Sequence, residues 1–92
     1  MKRNITEQSA KVNRHVAKNI RRLRKARHIT AVGMAELLGI TKDTYVRIER
    51  GEWNVHLARI YQLADILHCM PKEITEGALE VYRAWQKDQA SC

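Results

Sequence analysis

The chain has 92 residues, enough for one domain with a modest core, and its single proline, four glycines and lack of strand-like alternation predict an all-α fold. Its net charge of +7 is unevenly distributed along the chain. Residues 1–30 carry ten Lys and Arg against one acidic residue, whereas residues 31–92 carry seven against nine. Such a one-sided basic field predicts a polyanionic partner, most commonly nucleic acid. The composition excludes a disulfide framework, with only Cys69 and Cys92, and a membrane span, since no apolar run approaches about 18 residues; we expect a cytoplasmic protein with free thiols.

The N-terminal segment, residues 1–13, is polar and is predicted to form an arm that leads into a helix. Lys2 and Arg3 in this arm have two interpretations. They reach into a DNA groove, as N-terminal arms do, or they belong to a solvated tail, which is the commoner case.

A strongly helical stretch runs from about Ser9 to Arg27. One of its faces is apolar, at positions that repeat every three or four residues: Val12, Val16, Ile20 and Leu23. Basic residues surround that face: Arg14, Lys18, Arg21, Arg22, Arg24, Lys25 and Arg27. A basic amphipathic helix of this kind lies along phosphates, binds a membrane surface or a calmodulin-type partner, or simply faces solvent. The stretch that follows favours phosphates.

The stretch from Ile29 to Gly51 is predicted to form two short helices joined by a tight turn. Each helix follows a residue whose hydroxyl can cap it, Thr30 and Thr41. Gly39 can adopt the positive φ that ends the first helix and reverses the chain. In the second helix Tyr45 and Ile48 share one face and point inward, which leaves a polar N-terminal face outside. This arrangement is that of a helix-turn-helix.

The connection after Gly51 contains an indole and an amide side chain. Trp53 has three candidate roles: a lid on the core, a stacking contact with a sugar–phosphate, or part of a dimer surface. Asn54 can cap the next helix or donate to a phosphate. Pro71 fits the first turn of a further short helix. The helix between them carries an apolar stripe at Leu57, Ile60, Leu63, Ala64 and Leu67, broadened by Tyr61 and Ile66.

The last segment, residues 76–92, is predicted to form an additional helix. Its apolar residues repeat at helical spacing: Ala78, Val81, Tyr82 and Trp85. A stripe of this kind has to be buried, so the helix folds back on its own domain or pairs with a second copy of the chain.

The sequence contains no pattern typical of a catalytic or metal site. His68 and Cys69 are adjacent, but no second pair stands at metal-ligand spacing. We found no glycine-rich phosphate loop, no nucleophile elbow and no paired carboxylates. We therefore expect no enzymatic activity, no metal, no cofactor and no small-molecule ligand.

The run AELLGIT from Ala35 to Thr41, with IERG from Ile48 to Gly51, resembles the Xre-type helix-turn-helix family of lambda repressor and Cro. IRRLR, from Ile20 to Arg24, is similar to that family's first helix, and residues 57–74 to its fourth and fifth. The resemblance covers about residues 14–75. It implies a five-helix lambda-repressor-like domain, to which the C-terminal segment adds one helix.

The resemblance also implies a structural role for one ion pair, and the chain departs from the family pattern at several positions, among them Ala31, Gly33 and the Asn54–Val55 stretch, which lacks the family's usual proline. Arg24 and Glu49 match positions that form a partly buried salt bridge between the first helix and the recognition helix; the alternative is an ordinary exposed pair. Ala31 stands where the family often has a phosphate-contacting Gln. Gly33 stands where a Glu commonly completes a capping box.

For a helix-turn-helix that binds DNA, the second short helix is expected to enter the major groove. The candidates for base contacts lie on it: Lys42, Asp43, Thr44, Val46 and Arg47. Arg47 is the preferred one, because its guanidinium suits guanine O6 and N7. The candidates for phosphate contacts are Arg21, Arg22, Lys25, Thr30, Thr41 and Asn54. For each candidate base contact the alternative is a contact with phosphate or with solvent.

We therefore expect a double-stranded DNA-binding transcriptional regulator, a homodimeric repressor that binds an inverted repeat. Because such readers need two-fold symmetry, we favour dimer contacts for the C-terminal helix, with Trp53, Tyr82 and Trp85 as candidates. The alternatives are an antitoxin that also binds a toxin protein, and a controller protein of a restriction–modification operon. From another class, the same helices serve a protein-interaction or RNA-binding module.

Overall fold

The computed structural model describes the backbone of residues 5–90 and the side chains of residues 7–88. That range contains six α-helices and no strand. The helices are α1 (Ile5–Ala26), α2 (Ala31–Leu38), α3 (Lys42–Glu49), α4 (Leu57–Ile66), α5 (Pro71–Thr75) and α6 (Ala78–Ala90). The predicted all-α fold with an additional C-terminal helix is thus confirmed. Lys2, Arg3 and Cys92 lie outside the described residues.

The first helix is longer than predicted. It begins at Ile5 instead of near Ser9, so residues 5–13 of the predicted arm are helical. Its apolar face is buried as the spacing indicated, at Val16, Ile20 and Leu23. The other helices pack around that face, and α1 contacts α3, α5 and α6. The long α1 is therefore the support on which the rest of the domain is assembled.

The helices α1 to α4 all end in the same way. After each one the chain reverses at a residue with positive φ: His28 (57°), Gly39 (71°), Gly51 (74°) and His68 (51°). Two backbone hydrogen bonds close each reversal, as in the bonds from Ile40 N–H to the Ala35 carbonyl (3.0 Å) and from Gly39 N–H to the Glu36 carbonyl (3.1 Å). This pair of bonds defines the Schellman motif, which satisfies carbonyls at the helix end. The two histidines adopt a conformation usually left to glycine.

The fourth helix has a narrower buried face than the sequence suggested. Leu63 and Ala64 are buried, and so is Leu67 just after the helix. Leu57 and Tyr61 are 62% and 55% exposed, so their predicted place in the apolar stripe is wrong. They lie one turn apart on the outer side of α4, where none of the described helices covers them. The α4 cap is also not Asn54: His56 Nδ1 accepts from the Arg59 N–H at 3.2 Å.

The connection between α5 and α6 is held by polar side chains of α1. The buried Asn19 amide donates to the carbonyls of Ile74 and Glu76, both at 2.9 Å. His15 Nε2 lies 2.7 Å from the same Glu76 carbonyl oxygen, so the ring donates to it when Nε2 carries the proton. These bonds satisfy carbonyls at the end of α5 and direct the following helix along α1.

The C-terminal helix folds back onto its own domain. It packs against α1, and Trp85, the last residue of its apolar stripe, is only 2% exposed. The expectation that this stripe pairs with a second copy is therefore wrong for Trp85, because intramolecular packing already covers the indole. Tyr82, one turn earlier, is half-buried, and its hydroxyl accepts a hydrogen bond from Gln86 Nε2 at 3.0 Å.

Candidate nucleic-acid interface

A charged cluster beneath α3 fixes this helix against α1. Arg24 Nε donates to Glu49 Oε2 at 2.6 Å, and Arg24 Nη2 donates to Glu49 Oε1 at 3.0 Å. The two side chains are only 12% and 11% exposed. Tyr45, which is fully buried, donates its hydroxyl proton to the same carboxylate. The predicted pair is thus a bidentate bridge, the geometry in which a guanidinium and a carboxylate bind each other best.

The cluster also joins α3 to the start of α2. Arg24 Nη1 donates to the Ile29 carbonyl at 2.8 Å, just before the α2 cap. The hydrogen bond to the Glu49 carboxylate raises the pKa of Arg24 above its ordinary value. Burial raises the pKa of Tyr45 well above its ordinary value, and its bond to Glu49 raises it further. Arg24, bonded both to the Glu49 carboxylate and to the Ile29 carbonyl, therefore holds α1, the turn before α2 and α3 in a single arrangement.

The outer face of α3 is polar and exposed. Of the five predicted base-contacting residues, Lys42, Asp43 and Arg47 are exposed, while Thr44 and Val46 are half-buried. Glu49 and Tyr45 face the opposite way, into the cluster described above. The helix therefore presents two cations and one carboxylate to solvent, while the Arg24–Glu49–Tyr45 cluster fixes its inner face against α1.

The threonines before α2 and α3 are helix caps. Thr30 Oγ1 accepts from the Gly33 N–H at 2.9 Å, and Thr41 Oγ1 accepts from the Thr44 N–H at 3.2 Å. The Thr41 hydroxyl also donates to Thr44 Oγ1 at 2.9 Å, so its proton is already used within the protein. The Thr30 hydroxyl keeps its proton for another acceptor. Of these two threonines, both predicted to contact phosphate, Thr30 is therefore the better placed to donate.

The cations at the C-terminal end of α1 and just after it fall into two groups. Arg21, Arg22 and Lys25 are exposed, as a surface that meets phosphates requires. Arg24 is bonded to Glu49 and is therefore not available to a phosphate. Arg27 closes the end of α4, since its Nε donates to the Leu67 carbonyl at 2.8 Å. Sequence reasoning treated Arg27 as one more surface cation and missed this structural role.

The connection between α3 and α4, residues 50–56, carries two further contacts. The Arg47 guanidinium carbon lies 6.0 Å from the centroid of the Trp53 ring, which is a cation–π distance. Asn54 Oδ1 accepts from Asn13 Nδ2 of α1, which leaves the Asn54 amide hydrogens free. Trp53 is 42% exposed, so it is only partly a lid on the core.

A polar cleft of about 590 Å³ lies between the N-terminal half of α1 and this connection. Its cationic walls are Arg14 and Arg50, and Glu52 also lines it. Gly51 packs directly on α1 there, because a Cβ at this position would lie 2.7 Å from Arg14 Cα. No sequence signal indicated this contact, or the Asn13 contact, since the partners are far apart in the chain.

Other kinds of site are not formed in the part of the chain that the structure describes. No helix there is long and apolar enough to cross a membrane. No group of three or more His, Cys, Asp and Glu side chains there could hold a metal ion. Burial raises the pKa of the half-buried Cys69 thiol, with a further contribution from Glu73, so this thiol is protonated at neutral pH.

Two short helices, α2 and α3, joined through a tight Gly39 turn and fixed on α1 with a polar face outward, define a helix-turn-helix protein. The family model described as "Helix-turn-helix domain" matches residues 15–77, more than half of the chain. The chain belongs to this family of DNA-binding domains. It matches no curated protein and no solved structure.

Proposed function

We propose that this protein is a sequence-specific regulator of transcription of the Xre type, a homodimeric repressor that binds an inverted-repeat operator in the cytoplasm. The observation that carries the proposal is the buried Arg24–Glu49–Tyr45 cluster behind α3. Base readout needs a helix that enters the groove in one fixed orientation. The cluster supplies that fixation, and it leaves the opposite face of α3 free for base edges.

Arg47 is the proposed main base-reading residue. It is exposed, and its guanidinium can donate two hydrogen bonds to guanine O6 and N7. Lys42 makes a similar contact or binds a phosphate, and Asp43 accepts from a cytosine amino group. Thr44 and Val46 take supporting roles, with Val46 against a thymine methyl group.

The phosphate contacts are proposed to come from three parts of the chain. Exposed α1 cations supply the charge, and these are Arg21, Arg22 and Lys25. Thr30 donates from the start of α2. Asn54 donates from the connection after α3 while Asn13 holds its carbonyl oxygen. Thr41 contributes through its place at the N-terminus of α3, where backbone N–H groups favour an anion.

The homodimer is proposed because a two-fold operator requires two recognition helices, about 34 Å apart, one turn of DNA. Tyr82 and Trp53 remain candidate dimer contacts, since each is at least partly exposed. In the proposed division, residues 14–75 bind DNA. Residues 76–92 are the C-terminal extension, whose helix α6 braces α1, and residues 1–13 are the N-terminal segment, in which α1 begins at Ile5.

Selection from a random duplex library tests the function, followed by a salt titration on the selected sequence. We expect an inverted repeat and a steep decrease of affinity with salt, because phosphate contacts release counterions. Enrichment of no duplex by the folded protein would contradict the proposal. Preference for single strands would favour an RNA-binding module. Salt-insensitive binding to a protein would favour a protein-interaction module.

Two arginine-to-alanine changes on the selected duplex separate base readout from phosphate binding. Arg47→Ala is expected to cost about 1–3 kcal/mol and to relax the preference at one base pair. Arg21→Ala, the matched control on α1, is expected to weaken all duplexes alike and to reduce the salt slope by about one unit. If Arg47→Ala also weakened all duplexes equally, Arg47 would not read a base.

A further inference from the structure

The indole of Trp53 lies beside the side chain proposed to read a base. The distance from the Arg47 guanidinium carbon to the Trp53 ring centroid is 6.0 Å. Both residues are exposed, Trp53 by 42% of its surface. The pair therefore lies at the protein surface, on the same side of the connection as the outer face of α3.

The end of α3 explains why these two residues meet. The Glu52 N–H donates to the Arg47 carbonyl and the Gly51 N–H to the Ile48 carbonyl, both at 3.1 Å. This Schellman motif turns the chain back at Gly51, where φ is 74°. Trp53 follows two residues after Gly51, so the turn brings its ring back to the last turn of α3. The contact between Arg47 and Trp53 thus follows from the backbone conformation at the end of α3.

Packing of the core does not account for the position of the indole. Trp53 borders a cavity of about 160 Å³ that it shares with Ile48, Val55 and Arg59. A tryptophan selected as a lid would fill such a cavity, since protein interiors are close-packed. The ring instead keeps much of its surface outside, where the guanidinium of Arg47 lies.

Arg47 has an alternative partner that it does not use. Asp43 is one helical turn earlier on the same face, the spacing at which oppositely charged side chains pair. Within the described residues no ion pair joins the two. The guanidinium of Arg47 lies instead over the Trp53 ring. This cation–π contact attracts the charge of the guanidinium without occupying its hydrogen-bond donors. Those donors remain available for a base.

We propose that Trp53 is a positioning residue that determines specificity: it orients the Arg47 guanidinium for readout of one base pair. This inference rests on the proposed base contact of Arg47. A long arginine side chain has many rotamers, and a bidentate contact with guanine needs one plane and one direction. Contact with the indole reduces that freedom before DNA binds, so the pair acts as a preorganised unit.

The test measures discrimination between two duplexes: the selected operator, and the same duplex changed at the base pair whose preference Arg47→Ala removes. We expect Trp53→Ala and Trp53→Leu to lower the ratio of the two dissociation constants by about two- to fivefold, the effect of an exposed cation–π contact. Trp53→Phe retains an aromatic face and should keep most of the ratio. In an Arg47→Ala background, Trp53→Ala should leave the ratio unchanged.

Several outcomes would overturn the positioning role. If Trp53→Ala weakened both duplexes equally, the indole would contact the sugar–phosphate backbone instead. If it tightened binding, the indole would compete with DNA for Arg47. If Trp53→Leu kept the full ratio, an aromatic ring would not be needed. Selection of no duplex by the wild-type protein refutes the proposed function and this role together, whereas an operator read equally well without Trp53 refutes this role alone. Circular dichroism confirms that each variant is folded.

Discussion

Replacing Arg24 with methionine isolates the charge of the cluster beneath α3. Methionine keeps much of the aliphatic stem that packs beside the core, but it removes the guanidinium. The Glu49 carboxylate then loses both of its bonds from Arg24, and the Ile29 carbonyl loses its bond as well. The change therefore leaves a nearly buried anion without its cation.

The expected cost follows from the burial of the pair. Removing one partner of a buried ion pair usually destabilises a protein by about 3–5 kcal/mol. Glu49 is 11% exposed and keeps the hydrogen bond from Tyr45, so some solvation remains. We therefore expect a loss near the lower limit, about 3 kcal/mol. This is a large part of the roughly 5–15 kcal/mol by which a domain is stable.

Urea unfolding followed by circular dichroism measures this loss, and the chain contains its own control. Arg50 and Glu52 form a second arginine–glutamate pair, at 3.8 Å, with side chains 67% and 49% exposed. Arg50→Met should change the free energy of unfolding by less than about 1 kcal/mol. The two variants differ in burial and geometry while the chemistry of the change is the same.

The double replacement tests the reasoning behind the magnitude. In Arg24→Met with Glu49→Leu no charge is left buried, so much of the stability should return. A loss below about 1 kcal/mol for Arg24→Met alone would refute the idea that the bridge anchors α3. A double variant as unstable as the single one would show that stranded charge is not the cause.

Three further predictions concern stability. Gly51→Ala should destabilise the protein clearly more than Gly39→Ala. Both glycines have a positive φ, which costs a residue with a side chain about 1–2 kcal/mol, but only at Gly51 would the new Cβ also lie 2.7 Å from Arg14. Chemical denaturation of both variants measures the difference. Between pH 9 and 11, wild-type stability should fall by up to about 1.4 kcal/mol per pH unit more steeply than that of Tyr45→Phe. The reason is that the raised pKa of Tyr45 keeps it protonated when folded while the unfolded chain releases its proton; equal slopes in urea titrations would contradict this. Trp85→Ala should cost about 3–5 kcal/mol, but Trp85→Phe much less, because the buried indole N–H has no hydrogen-bond partner among the described residues, and thermal melts of the two variants compare them.

The parts of the fold that could be predicted are those with local signals. A threonine before an apolar run indicates a cap, and both Thr30 and Thr41 cap their helices. Gly39 lies at the predicted turn with a positive φ. The Arg24–Glu49 pair had no local signal, since 25 residues separate its members. Its prediction came from the resemblance to a family.

The parts that could not be predicted depend on which distant surfaces meet. The apolar stripe around Trp85 showed that this face must be buried, but not whether α1 or a second chain would cover it. Asn19 lies next to Ile20 on the inner side of α1, so its burial could have been inferred, but not its bonds to the α5–α6 connection. Asn13 and Asn54 are 41 positions apart, and nothing in either stretch specifies the other.

The distribution of charge acquires a different meaning once the contacts of α1 are known. The ten cations of residues 1–30 suggested one large basic surface. Arg24 is instead turned into the protein, where it binds a carboxylate, and the exposed Arg27 spends one donor on a carbonyl at the end of α4. Because α1 supports α3 on one side and α6 on another, its cations have to serve both packing and binding. Arg24 is not available for phosphates, so the count of ten cations overstates the number of phosphate contacts that this region can make.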